Sequence, residues 1–96
     1  MVIIVKRPEN NYWELKEIDG SLKSLQEVVG GYIEVVELPG NQCLICNEEG
    51  MIRGLPFHSV FGRYFAGTVF VCGSEGEEFC DVDLNFLKKK GLIAQK

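Results

Sequence analysis

Four cysteines have the greatest potential for metal or redox chemistry in this chain. Cys43 and Cys46 form a C-x-x-C pair, and Cys72 and Cys80 follow further along. Four thiolates bind zinc when a turn between the first two brings their sulfur atoms together. Here the pair lies in the apolar run 42–46, which favours a strand, and residues three apart on a strand point to opposite faces. We therefore expect small buried thiols, with no metal and no cofactor.

A second candidate site is the segment 51–67, which contains no acidic residue. It carries Arg53, His58, Arg63 and Tyr64. Guanidinium groups pair with phosphate oxygens and aromatic rings stack on bases, so this combination suits a small anionic nucleotide. The segment is therefore a candidate ligand-binding loop.

Two residues outside that segment are expected to help line the same pocket. Tyr32 and Glu34 follow a pair of glycines that ends a predicted helix, and glycines at a helix end leave room for a ligand. The alternative is that the two arginines form surface ion pairs with the segment 75–83, which has five acids and no base. The sequence leaves both interpretations open.

A catalytic role for His58, the only histidine, requires a cysteine or Glu48 within hydrogen-bonding reach. The sequence does not bring such a pair together, and we predict no catalytic residue. A non-enzymatic binding protein is the first hypothesis. A small enzyme acting on a nucleotide or a peptide is the alternative.

The elements that position these residues form an α+β pattern. Apolar and alternating runs predict a mostly antiparallel sheet of about five strands, at residues 2–6, 12–18, 32–38, 42–46 and 67–72. The segment 54–63, which holds a Gly-Leu-Pro break, is predicted to be a loop or a short helical turn. Residues 51–52 are predicted to begin a short strand.

Two helices complete the predicted pattern. Ser21 or Asp19 caps the first, whose apolar stripe runs to Val29 and whose end is set by the glycines that follow. We predict one long helix packed across the sheet and a second helix at the C-terminus, capped by Asp81 or Asp83. Residues 1–96 are expected to form a single domain, because a chain of this length supports one core.

Composition and charge restrict the classes of partner. The net charge of −4 opposes direct binding to nucleic acid or to an anionic membrane and is compatible with a basic protein partner. No apolar run approaches the roughly 20 residues that span a bilayer. Apolar residues precede Lys6 and Arg7 at the N-terminus, which is the reverse of a secretion signal. We therefore expect a cytoplasmic protein.

Several segments resemble one known family when taken in order. They are the run Glu-Ile-Asp-Gly-Ser-Leu-Lys-Ser-Leu-Gln at 17–26, and then 29–34, 47–50, 54–56 and 67–73. This order resembles the signatures of the family called domain of unknown function 3846. That family tends to place Asn and a basic residue soon after Pro56, where this chain has Phe57, His58 and Ser59, so a ligand role of that loop does not follow from the resemblance.

The resemblance implies a genomic setting and no mechanism. Members of the family are small proteins of bacteria, phages and mobile elements without an established activity. This setting favours the hypothesis of an accessory protein with an anti-defence role that acts by binding. Such a protein would sequester a signalling nucleotide, or would block a host protein through the acidic segment 75–83. A self-associating structural protein, and hence a homo-oligomer, is a further alternative.

Overall fold

The structure is a computed structural model that describes residues 1–91, in which the elements follow the order ββαββββββα. The helices are α1 (Leu22–Val29) and α2 (Leu84–Lys89). The strands are β1 (Val2–Lys6), β2 (Trp13–Glu17), β3 (Ile33–Leu38), β4 (Gln42–Asn47), β5 (Phe57–Val60), β6 (Arg63–Ala66), β7 (Val69–Glu75) and β8 (Glu78–Cys80).

Six of the described strands form one antiparallel sheet in the order β2-β1-β7-β4-β3, and β8 pairs with the far end of β7. β8 continues the line of β1, because Val82 N donates to Val2 O at 2.9 Å and Val2 N donates to Asp81 Oδ1 at 2.8 Å. The predicted α+β class with a mostly antiparallel sheet is confirmed. The sixth strand, β8, lies inside the acidic segment 75–83. The sequence does not predict it, because this charged segment has no alternating apolar pattern.

Side chains alternate across the sheet and form two apolar layers. One layer lies under the β5–β6 hairpin and α2, and we call this side the hairpin face; its buried residues include Ile4, Leu44, Val71, Phe65 and Leu87. The other layer lies under α1, and we call this side the helix face; its buried residues include Ile3, Val5, Ile45, Phe70 and Leu25. Burying each such side chain is worth about 1.5–3 kcal/mol, so both layers are needed for stability.

Helix α1 lies where the sequence predicts it but is not long. It has eight residues, because Ser21 caps its start and Gly30, in the left-handed conformation at φ 78°, ends it. The prediction of one long helix is wrong, and α2 has only six described residues. Within residues 1–91, neither helix has the length and apolar character needed to cross a membrane.

The segment 54–63 is not the loop or helical turn that the sequence predicts. It forms most of the β5–β6 hairpin, in which Val60 pairs with Arg63 across a two-residue turn. The turn residues Phe61 and Gly62 have φ of 52° and 78°, as the tightest hairpin turns require. Residues 51–52 form a turn and no strand. The hairpin was missed because its pairing depends on an uncommon positive φ at a phenylalanine.

Two hydrogen bonds to side-chain oxygens hold the start of α1. Ser21 Oγ accepts from Ser24 N at 3.1 Å, and the carboxylate of Asp19 accepts from Ser21 N at 2.8 Å. The main-chain bond from Ser21 lowers the pKa of Asp19 to about 2. This carboxylate therefore supports the cap at every pH above its ordinary pKa of 3.8 and loses that role as the pH falls through 2.

We predict that Ser21→Ala lowers the free energy of unfolding by about 1 kcal/mol, because Ser24 N loses its acceptor. Ser59→Ala is the matched control: Ser59 is exposed on β5, and its loss should change stability by less than about 0.5 kcal/mol. Urea denaturation followed by circular dichroism measures both. Equal effects of the two variants would contradict the cap.

Candidate functional site

The two cysteines of the C-x-x-C pair lie on opposite faces of the sheet, as the sequence predicts. Cys43 is on the helix face and Cys46 on the hairpin face. Cys43 and Cys72 are neighbours across β4 and β7, with their sulfur atoms 3.9 Å apart and no disulfide between them. Burial raises the pKa of Cys46 to about 11 and that of Cys72 further, so both stay protonated thiols. Within residues 1–91, no three His, Cys, Asp or Glu side chains converge as metal ligands would.

A cleft of about 390 Å³ lies on the hairpin face between β3 and β6, and we call it the β3–β6 cleft. Its floor includes the buried residues Cys46, Phe65 and Ala66. The turn after β4 and the start of β6 form its rim. Three large apolar side chains of this rim are mostly in water: Met51 is 73% exposed, Ile52 86% and Tyr64 78%.

Charged side chains flank this apolar rim. Glu34 and Glu48 line the cleft, and Arg63 places its guanidinium 5.4 Å from the ring centre of Phe65. A cation over an aromatic face is attracted by the ring's quadrupole. Arg63 is therefore held against the floor of the cleft beside the apolar rim, while the two carboxylates make the cleft net acidic.

The buried amide of Asn47 fixes the β3–β6 cleft relative to helix α1. Asn47 Nδ2 donates to Val29 O at 3.1 Å, and its Oδ1 accepts from Glu49 N at 2.8 Å. The first bond satisfies a carbonyl at the helix end, and the second shapes the turn that carries Met51 and Ile52. One side chain thus connects the helix, strand β4 and the rim.

Of the six residues predicted to bind a ligand, three share the β3–β6 cleft: Glu34, Arg63 and Tyr64. Arg53 lines a different depression, together with Glu27 and Gly67, and its Nη1 donates to Gly30 O at 2.7 Å. The structure therefore does not place the two arginines in one pocket, and ligand binding by them stays a prediction.

The other two predicted residues have main-chain contacts. The carbonyl of Tyr32, whose side chain is exposed, accepts from Glu48 N at 2.8 Å. His58 Nε2 donates to Gly67 O at 2.6 Å. A carbonyl only accepts, so Nε2 carries the proton, and the buried Nδ1 has no partner among the described residues. Burial lowers the pKa of His58, and the neutral ring tethers β5 to the start of β7.

The ion pairs considered for the arginines are not formed. In the described part of the chain, neither Arg53 nor Arg63 forms an ion pair with the segment 75–83. An ion pair is formed instead between Arg7 and Glu14, at 3.1 Å. Asp83 Oδ1 accepts from Asn85 N at 2.8 Å and caps α2. Three other acids of that segment, Glu75, Glu77 and Glu78, are exposed.

A second depression, of about 310 Å³, lies on the helix face, and we call it the helix-face depression. Val35 and Glu37 of β3 line it, and Ser74 and Phe79 form its opposite side. Through those last two residues it borders the acidic hairpin of β7 and β8. β3 therefore has an open depression on each of its two faces.

Sequence reasoning missed Met51 and Ile52 as site residues. Their signal was two adjacent large apolar residues between Gly50 and Arg53 in a segment rich in turn formers. Such residues cannot be buried when the turn projects from the sheet. The sequence predicts the start of a short strand there instead.

Together, the fold and the cleft define a small antiparallel α+β domain with an open cleft of mixed polarity at one edge of its sheet. The model of the family described as Domain of unknown function (DUF3846) matches residues 1–90, and the chain belongs to this family. The resemblance seen in the sequence is confirmed and extends over nearly the whole chain. No curated protein and no solved structure matches it.

We predict that His58 makes stability depend on pH below 6.5. The pKa of His58 is lowered in the folded state from 6.5, so the unfolded chain binds more protons. Its contribution is present above pH 6.5 and is lost as the pH falls through the lower, folded value. Urea midpoints of wild type and His58→Gln, measured across that range, should show a steeper loss for wild type. Parallel curves would contradict this.

We predict that Asn47→Asp destabilises the fold by about 1–3 kcal/mol at neutral pH, because a buried carboxylate would face the Val29 carbonyl. Acid should recover part of this loss, since a protonated carboxyl can donate to that carbonyl. Thermal unfolding at neutral and at acidic pH measures the effect. Asn11→Asp, at an exposed bend, is the control. A loss that does not change with pH would contradict the claim that donation to the Val29 carbonyl stabilises the fold.

Proposed function

We propose that this chain is a non-enzymatic binding protein whose partner is another protein and whose contact surface is the rim of the β3–β6 cleft. One observation carries the proposal: Met51, Ile52 and Tyr64 hold large apolar surfaces in water around one cleft. Contiguous exposed apolar residues with a polar margin are typical of protein-binding sites.

The residue types on this rim match those that dominate protein contacts. Tyrosine, methionine and arginine are enriched in interfaces, whereas lysine, glutamate and aspartate are depleted, so Glu34 and Glu48 belong to the polar margin of this site. Tyr64 and Arg63 are neighbours in the chain, and both line the cleft. An apolar anchor inserted between them and Ile52 would cover the ring and the aliphatic side chains together.

Charge supports a basic partner. The net charge is −4, and Glu34 and Glu48 line the cleft itself. Complementary charge accelerates the encounter of two proteins and loses effect as salt rises. In a phage or mobile-element setting, a cytoplasmic protein of this kind would act against host defence by covering a basic surface of a host protein.

A small anionic nucleotide is the second candidate partner. Arg63 and Tyr64 on one rim would provide a phosphate contact and a stacking ring. The geometry supports this less than a protein partner, because Arg53 and His58 direct hydrogen bonds to the carbonyls of Gly30 and Gly67. Two carboxylates in the same cleft would also repel phosphate.

The test begins with peptides selected from a random displayed library for binding to the wild-type chain. We predict that these peptides bind the Ile52→Ser variant about tenfold or more weakly than the wild-type chain, since such an anchor contact is worth about 1.4 kcal/mol or above. Leu22→Ser is the matched control, because Leu22 is an aliphatic residue 58% exposed on α1, away from the cleft. Surface plasmon resonance measures both.

Equal binding by the two serine variants would place the contact surface elsewhere. Thermal shifts with cyclic and linear nucleotides provide the competing test. A nucleotide that raises the melting temperature of the wild-type chain, and not that of Arg63→Ala, would overturn the protein-partner proposal in favour of the nucleotide.

A further inference from the structure

We propose that the free edge of β3 binds an extended segment of the partner as an additional strand, and that this segment carries basic side chains opposite Glu34 and Glu37. The inference rests on the proposed function and adds to it the conformation and the charge of the bound segment. Addition of a strand to a sheet edge takes affinity from main-chain hydrogen bonds and specificity from alternate side chains.

The register shows which main-chain groups of β3 are available. In antiparallel pairs, hydrogen-bonded residues alternate with residues whose N–H and C=O groups point away. Glu48 N donates to Tyr32 O at 2.8 Å, so the pairs of Glu34 with Cys46 and of Val36 with Leu44 are hydrogen-bonded as well. Three residues therefore direct their main-chain groups outward: Ile33, Val35 and Glu37.

Nothing in the described chain pairs with that outer edge. β4 is the only partner of β3 among the strands of residues 1–91. Long open edges are normally shortened, twisted away or covered, since they attract other strands. β3 has six residues and stays open along its length, so it offers three donors and three acceptors in one line.

The two open depressions match the side-chain alternation of an added strand. A side chain opposite Glu34 or Val36 would lie on the hairpin face, which carries the β3–β6 cleft on the inner side of β3. The side chains opposite Val35 and Glu37 would lie on the helix face, which carries the helix-face depression on the inner side of β3. Successive residues of an extended segment point alternately to these two sides. A long side chain of a bound strand, such as lysine, can thus extend over β3 toward an open depression on either face.

Charge selects the occupant of this edge. Glu34 and Glu37 are both exposed on β3, and the acidic β7–β8 hairpin borders the helix-face depression. Two copies of this chain joined along β3 would place four glutamates along one seam, which like-charge repulsion disfavours. A basic segment of another protein instead places its cations opposite these carboxylates.

The other edge of the sheet lacks this single sign of charge. On β2, Lys16 lies between Glu14 and Glu17, and Glu14 already pairs with Arg7 at 3.1 Å. Ile18 N donates to Met1 O at 2.8 Å, and the register then directs the main-chain groups of Leu15 outward. β2 therefore provides a matched edge position for a control.

The test uses the blocked peptide Ser-Thr-Lys-Val-Val-Lys-Thr-Ser, whose Lys-Val-Val-Lys centre reads the same in both strand directions. We predict that it binds the wild-type chain and that a peptide with Glu in place of both Lys does not. Val35→Pro removes one outward N–H without breaking the β3–β4 ladder, since edge strands tolerate proline there. It should weaken binding by about tenfold, whereas Leu15→Pro should not weaken it.

Isothermal titration calorimetry measures affinity, and amide shifts in NMR spectra locate the peptide. Absence of binding by the Lys peptide, or equal affinity of Val35→Pro and wild type, would overturn the β3 proposal. Dimerisation of the wild-type chain by light scattering, abolished in Val35→Pro, would overturn it in favour of a second copy. If the library-selected peptides still bind Ile52→Ser more weakly than the wild-type chain in any of these cases, the proposed function stands and only the proposal of an added strand is overturned.

Discussion

The pairing of β7 on both of its sides is the constraint on which the rest of the structure depends. Its residues 69–73 are buried, and along its length it pairs with β1, β4 and β8. A shift of one residue would move Phe70 from the helix face to the hairpin face and exchange the contents of the two layers. β7 therefore sets the register of the sheet and, through β4, the position of β3.

A central strand buried in this way pushes charge to the edges of the sheet. β7 has no charged residue before Glu75, and β4 has none, because both faces of these strands are covered. β3 carries Glu34 and Glu37 and β2 carries three charged residues. The same rule that stabilises the core thus concentrates charge at the two outer strands, which also have outward main-chain groups that pair with no other strand of residues 1–91.

The sequence predicts what depends on local patterns and misses what depends on distant pairing. Ser21 and Gly30 mark the ends of α1 correctly, and the apolar runs locate the five strands other than β8 that form the sheet, because caps and alternation act over a few residues. The β5–β6 hairpin depends on Phe61 at positive φ. The β3–β6 cleft depends on that hairpin folding back over the sheet, so Tyr64 and Glu34 line one cleft although no spacing in the chain links them.

Residues with chemically active side chains also satisfy main-chain groups of the fold. The carbonyl of Gly30 lies at the end of α1, where intrahelical donors run out, and Arg53 supplies one. The carbonyl of Gly67 precedes β7, and His58 supplies its donor. The fold thus uses both of these polar side chains to satisfy its own acceptors. The exposed apolar rim at Met51, Ile52 and Tyr64 has no such internal use, and water is a poor partner for it. Apolar surface kept in water beside an open strand edge is the reason why we propose a protein partner and not a phosphate.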